Sequence, residues 1–206
     1  MRSADRRIAV ISAFAFLMIG CGSGQGTGAA DPVATPLSSN SADQRALEHR
    51  LSEIDDAVSR WQAAVDLVAV GAAAEAARNL VVGPDGPGYG DADGDGTVTG
   101  ANAVGLLPGL AGQHGLATEA AGACVVRDVL GGSWGDPSAR WAILADAIAA
   151  WSPASNTFPS LPSHPQRIVG WATLALGADD LPTALEFGGH ARLHIDIASR
   201  AVTDCG

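Results

Sequence analysis

Leu47, Leu51, Ile54, Val58, Trp61, Val65 and Val68 follow one another at alternating steps of four and three. That spacing lays an apolar stripe along one side of a helix, and Arg, Glu and Asp fill the other faces. Ser41 is a suitable N-cap for it. A shorter Ala-rich helix is predicted to follow to about Val82, where Gly83-Pro84 ends it. Residues 84–110 are dense in Gly, Asp and Pro and form the main loop. A third helix is predicted from about Leu110 to Leu130, although Gly112, Gly115 and Gly122 fall inside it and oppose helix formation. Asp136-Pro137 is a start signal, a cap followed by Pro at the first helical position. Trp141, Leu144, Ile148 and Trp151 then form another stripe. A Pro/Ser loop over 152–162 leads to Ser163-His164-Pro165, which opens a helix to about Leu176. A last helix is predicted over Asp180 to Thr203. Strand-like alternation is nearly absent. The fold class is therefore all-α, an irregular bundle of five or six helices with one long Gly/Asp-rich loop.

The first 40 residues follow a different pattern. Arg2, Arg6 and Arg7 precede an apolar run from Ile8 to Ile19, broken only by Ser12. Gly20 and Cys21 come next. A positive start, a short apolar core and a small residue before a cut form a secretory signal. A core of roughly 12 residues is shorter than the ~20 that a membrane-spanning helix needs. The segment Leu17-Met18-Ile19-Gly20-Cys21 resembles the lipobox of bacterial lipoproteins, with Met18 where that family prefers Leu. The resemblance implies cleavage before Cys21 and acylation of that cysteine, hence an extracytoplasmic chain anchored to a membrane by lipid. A plain secretory signal that happens to contain Cys21 is the alternative. Residues 22–40 are rich in Gly, Ser, Ala, Thr and Pro and read as a flexible linker. The expected organisation is a signal peptide over 1–20, an anchored linker over 21–40 and a helical domain over 41–206.

Removing residues 1–20 takes away three Arg and one Asp. It leaves 9 Arg against 21 acidic residues, a formal charge of −12, with no Lys. Such a surface excludes nucleic acid as a partner, because phosphate binding needs clustered cations. It equally opposes polybasic contact with anionic headgroups. Setting Cys21 aside for lipid leaves Cys124 and Cys205 as an even pair in an oxidising compartment, where a disulfide is expected. Two buried free thiols are the alternative.

The most informative chemistry lies in the main loop, at Asp91-Ala92-Asp93-Gly94-Asp95-Gly96-Thr97-Val98-Thr99. Three carboxylates at every second residue can converge on one hard cation. Gly96 permits the sharp turn that brings the Thr97 carbonyl to it. The run resembles the calcium loop of EF-hand and dockerin proteins. That resemblance implies Ca2+ held by Asp91, Asp93, Asp95, Thr97, Thr99 and the twelfth position, with Val98 tucked into the core. The twelfth position is Asn102, where the pattern calls for Glu or Asp. The lost charge and bidentate grip imply weak binding, about 10⁻⁴ to 10⁻³ M. A nearby acid from another element can replace the missing ligand. A Gly/Asp-rich turn that holds no metal is the alternative. Glu75, Asn79 and Gly83, then Tyr89 through Gly96, then Gly105-Leu106-Leu107-Pro108 are similar to uncharacterised secreted bacterial helical proteins with an embedded calcium loop. This adds no activity.

Glu186, His190 and His194 stand four apart on the last helix and offer one carboxylate and two imidazoles to a transition metal. There is no HExxH arrangement, no GxSxG and no Gly-rich phosphate loop. The five Trp residues sit mostly at stripe positions, which reads as core. The expected role is binding or envelope structure rather than catalysis, with ligand and protein partner unspecified. The competing reading is a metal-dependent enzyme or transition-metal carrier centred on His190 and His194.

Overall fold

Apolar stripes and N-caps account for most of the architecture. In the computed structural model, residues 37–120 and 122–204 are described, and they fall within one compact unit beginning at Thr35. Cys21, the signal segment, most of the linker and Cys205 lie outside the described residues. The protein is all-α. Helices α1 (Leu37–Gln62), α2 (Leu67–Val82), α4 (Pro137–Ala149), α5 (His164–Leu176) and α6 (Leu181–Thr203) carry the fold. They are joined by one short helix, α3 (Leu116–Glu119), and one π-helical turn, Val125–Val129. Among the described residues no strand forms, and the only bridge is an isolated pair at Ser152 and Ser155.

Side-chain oxygens cap three helices, while Ser41, expected to cap the first, lies inside α1. Asp136 accepts from the Ala139 N–H, Ser163 from Gln166 and Asp180 from Thr183. Each satisfies a donor that the first helical turn leaves free, typically worth about 1 kcal/mol. Helix α5 packs against α6 and α2, and α1 packs against α2 and α6. Leu47, Leu51, Ile54, Val58 and Trp61 are fully buried along α1. The fully buried Trp61 indole donates to the Ala184 carbonyl of α6 at 2.9 Å.

Three expectations are corrected. The α1 stripe does not run on to Val68. The helix stops at Gln62, and Asp66 caps a new helix by accepting from Ala69 at 2.8 Å. Val65 and Val68 are therefore 82% and 75% exposed, although their spacing continued the stripe. The helix predicted over Leu110–Leu130 collapses to α3 and the π-helical turn, because Gly112 adopts φ +85° and the chain turns at Gly115 before α3. At the other end, α1 already begins at Leu37, inside the stretch read as linker.

Candidate metal centre

The Gly/Asp-rich loop is built onto one face of α2, and two side chains one helical turn apart make the attachment. Asn79 is fully buried. Its amide nitrogen donates to the Gly90 and Thr99 carbonyls at 2.9 and 2.8 Å, and its oxygen accepts from the Gly90 N–H at 3.1 Å. Glu75, four residues earlier, is fully buried as well. One of its oxygens accepts from the backbone N–H groups of Ala92 and Asp93. The other accepts from the Thr99 N–H at 2.6 Å and lies 2.9 Å from the Thr99 hydroxyl. Backbone N–H donors stabilise a buried carboxylate, and the Arg78 guanidinium, one turn on along α2, interacts favourably with Glu75 as well. Past the loop, Leu106 and Leu107 donate to the Leu80 and Val81 carbonyls, which the end of α2 leaves unpaired. Arg50 of α1 clasps the same region by donating to the Leu80 and Val104 carbonyls.

Within the loop the carboxylates organise the backbone around themselves. Asp91 accepts from Gly94 through one oxygen at 2.8 Å and from Gly96 through the other at 2.9 Å. Asp93 accepts from the Asp95 N–H at 3.1 Å, and Asp95 from the Thr97 N–H at 2.6 Å. Gly96 stands at φ +87°, which L side chains rarely adopt, so the reversal there requires glycine. Gly71 of α2 lets the loop approach the helix. A Cβ at that position would stand 3.2 Å from both Cβ and Oδ2 of Asp93.

This scaffold brings Glu75, Asp91 and Asp93 together, each offering one oxygen within 4.8 Å of the others. Among the described residues they form the one group of three or more His, Cys, Asp or Glu side chains so placed. An ionised carboxylate has about four lone-pair sites, so the N–H bonds on Asp91 and Asp93 leave room for a cation. Glu75, with three N–H donors, keeps one site, on the oxygen facing Thr99, when the Thr99 hydroxyl donates to Ala72. The cost of holding the charges together falls on Asp93. Loss of solvation pushes its carboxyl above the ordinary aspartate value. The Asp95 N–H opposes that rise, while Glu75, Asp95 and Asp91 add to it.

The other loop positions are arranged differently. Asp95 is exposed at the rim. The Thr99 hydroxyl turns to α2, 2.9 Å from the Ala72 carbonyl and from Glu75. The Asn102 amide nitrogen donates to the Asn79 and Gly100 carbonyls, and its buried Oδ1 has no partner. Val98 is 41% exposed and not tucked into the core, which corrects the expectation drawn from the loop pattern. The carboxylate that faces the loop comes from Glu75, sixteen residues before Asp91. Its one sequence signal is a lone acid within the apolar run Gly71–Ala77.

The histidines of α6 belong to a different neighbourhood. His190 lies flat on Trp171 of α5, with ring centroids 4.2 Å apart and planes 14° apart. Its Nε2 is 4.0 Å from Glu186 Oε1 and 3.1 Å from the Asn156 amide nitrogen, which donates to Glu186 at 2.7 Å. His194 meets His164 of α5, Nδ1 to Nδ1 at 3.0 Å. Burial, and after it His164, Arg167 and His190, hold the His194 imidazole down at about 3. His164 is also lowered, first by burial and then by Arg167. Both rings are therefore neutral near pH 7, and one Nδ1–H donates to the other's lone pair. Four of the five tryptophans are buried, as their stripe positions implied, and Trp151 is half-buried.

Comparison with known protein families, with curated proteins and with solved structures finds no match.

Proposed function

We propose that this chain is a lipid-anchored, extracytoplasmic helical protein with a binding or envelope-structural role, whose Asp91–Asn102 loop takes one Ca2+ as a structural clamp. The observation that carries the calcium reading is the convergence of Glu75, Asp91 and Asp93. Glu75 brings to the loop the carboxylate that Asn102 does not provide. A hard cation suits an all-oxygen set of this kind, and carboxylates from both the helix and the loop let the ion tie one to the other. Loss of solvation, and after it the neighbouring carboxylates Glu75, Asp95 and Asp91, raise Asp93, and a bound cation offsets the carboxylate contribution. Anchoring rests on the lipobox at Cys21, and a Cys124–Cys205 disulfide completes the picture of an exported domain.

Thermal unfolding with and without calcium tests the clamp. An ion bound only by the folded state stabilises by RT ln(1 + [L]/Kd), about 1.4 kcal/mol at ten times Kd. For a domain of this size that raises Tm by roughly 3–6 °C. The rise is expected at millimolar Ca2+ and absent in Asp93→Ala. An unchanged Tm in the wild type at 10 mM Ca2+ removes the clamp.

A further inference from the structure

The loop over 156–159 closes against α5 and α6 around a cleft of about 460 Å³ whose two ends differ in chemistry. Helices α5 and α6 run antiparallel, so residues one turn apart on each helix face each other in two levels. On one level Trp171 meets His190, with Phe158 against the indole at 4.6 Å. On the other, Arg167 stands near the His164–His194 pair. The lining is therefore aromatic at one end and cationic at the other, with Leu193, 54% exposed, on the rim.

Arg167 supplies the charge at the cationic end. Among the described residues no carboxylate lies within 4 Å of its guanidinium, as is also true of Arg78 and Arg140. Its Nε donates to the Leu161 carbonyl at 2.7 Å, and no described residue accepts from its terminal nitrogens. Burial lowers its pKa from the ordinary arginine value. Its two imidazole neighbours carry no negative charge in either protonation state and cannot pair with it. His194 is more than nine-tenths buried, and its only hydrogen bond among the described residues is the one to His164. Asn156 adds a buried Oδ1 without a partner. A mostly apolar cleft with a few convergent polar groups is the usual form of a small-ligand site.

The geometry points to a binding site for a small organic carboxylate with a flat or apolar body. The carboxylate pairs with the Arg167 guanidinium, a fork suited to two parallel charge-assisted bonds. The body lies along Phe158, His190 and Leu193. This site shares no residue with the calcium loop and does not depend on it.

Isothermal titration and ligand-observed NMR on the full chain test the proposal. The probes are benzoate, phenylacetate and hexanoate, each beside its neutral amide. At least one acid is expected to bind at millimolar Kd or tighter, with its amide about tenfold weaker or more, the scale of one charge-assisted contact. Arg167→Gln removes that preference for the acid. Leu193→Asp, at an exposed rim position, weakens the acid by repulsion and leaves the melting temperature unchanged, so a folding defect in the first variant does not obscure the answer. Equal binding of acids and amides, or binding by none of the acids, overturns the proposal. So does saturation of the cleft by Zn2+ that His164→Gln abolishes while the acids fail to bind, because the cleft is then a metal site.

Discussion

His194 carries the clearest single-residue consequence. Its imidazole titrates at about 3 in the folded chain, held there by burial and then by His164, Arg167 and His190, against about 6.5 when unfolded. Between those values the unfolded chain holds a proton that the folded chain does not. Stability therefore falls as pH drops below 6.5 and recovers above it, by up to about 1.4 kcal/mol per pH unit for one such proton. His164 is displaced in the same direction. The raised Asp93 carboxyl acts oppositely, since a carboxyl whose folded pKa is raised gains stability as it protonates. Urea unfolding in EDTA is expected to show about 2 kcal/mol less stability at pH 5 than at pH 7. His194→Gln flattens the difference. Equal stability at the two pH values in the wild type contradicts a buried, neutral His194.

At the scale of elements, α2 matters most, because it is both a core helix and the platform of the loop. Asn79 alone holds three backbone groups of the loop, at Gly90 and Thr99. Asn79→Ala strands those buried groups, each worth roughly 1–3 kcal/mol when unsatisfied, with water recovering part of the loss. A loss of about 3 kcal/mol is expected, read as a Tm drop of roughly 6–12 °C. Calcium affinity falls with it, since the Asp91 and Asp93 carboxylates lose their fixed placement over Glu75. A Tm within 2 °C of wild type would show that the loop holds itself. The elements that could be read from sequence are those with local signals. Asp136-Pro137, Ser163 and Asp180 start helices where their caps stand, and the α1 stripe up to Trp61 is buried as its period demands. The break at residues 63–66 was hidden because Val65 and Val68 keep the helical period while the Asp66 cap wins locally. The site divides in the same way. Asp91, Asp93 and Asp95 declared a loop by their spacing. Glu75 and the His164–His194 pair are contacts between separate elements, 16 or more residues apart, and no local pattern encodes them.

For the whole molecule, the open matter is what holds it where it works. Among the described residues no helix is long and apolar enough to cross a membrane. The chain is acidic overall, at −10, which opposes electrostatic attachment to anionic headgroups. The chemistry of this chain offers two modes of membrane association. One is lipid on Cys21, where two or three acyl chains give an anchor that neither salt nor chelation releases, while a single chain binds only marginally. The other is Ca2+ bridging from the Asp91 loop to headgroup phosphates, which chelation breaks at once. Fractionation separates them. The lipid-held protein is expected to stay with membranes through washes in 1 M NaCl and in EDTA and to enter solution only with detergent. Cys21→Ser moves it to the soluble fraction with its fold intact, and intact-mass analysis of the wild type shows the added acyl mass on the cleaved chain. Release by EDTA would transfer the attachment to the calcium loop. An unmodified Cys21 in a membrane-free protein would remove the anchor, and with it the reason for assigning Cys124 and Cys205 to each other.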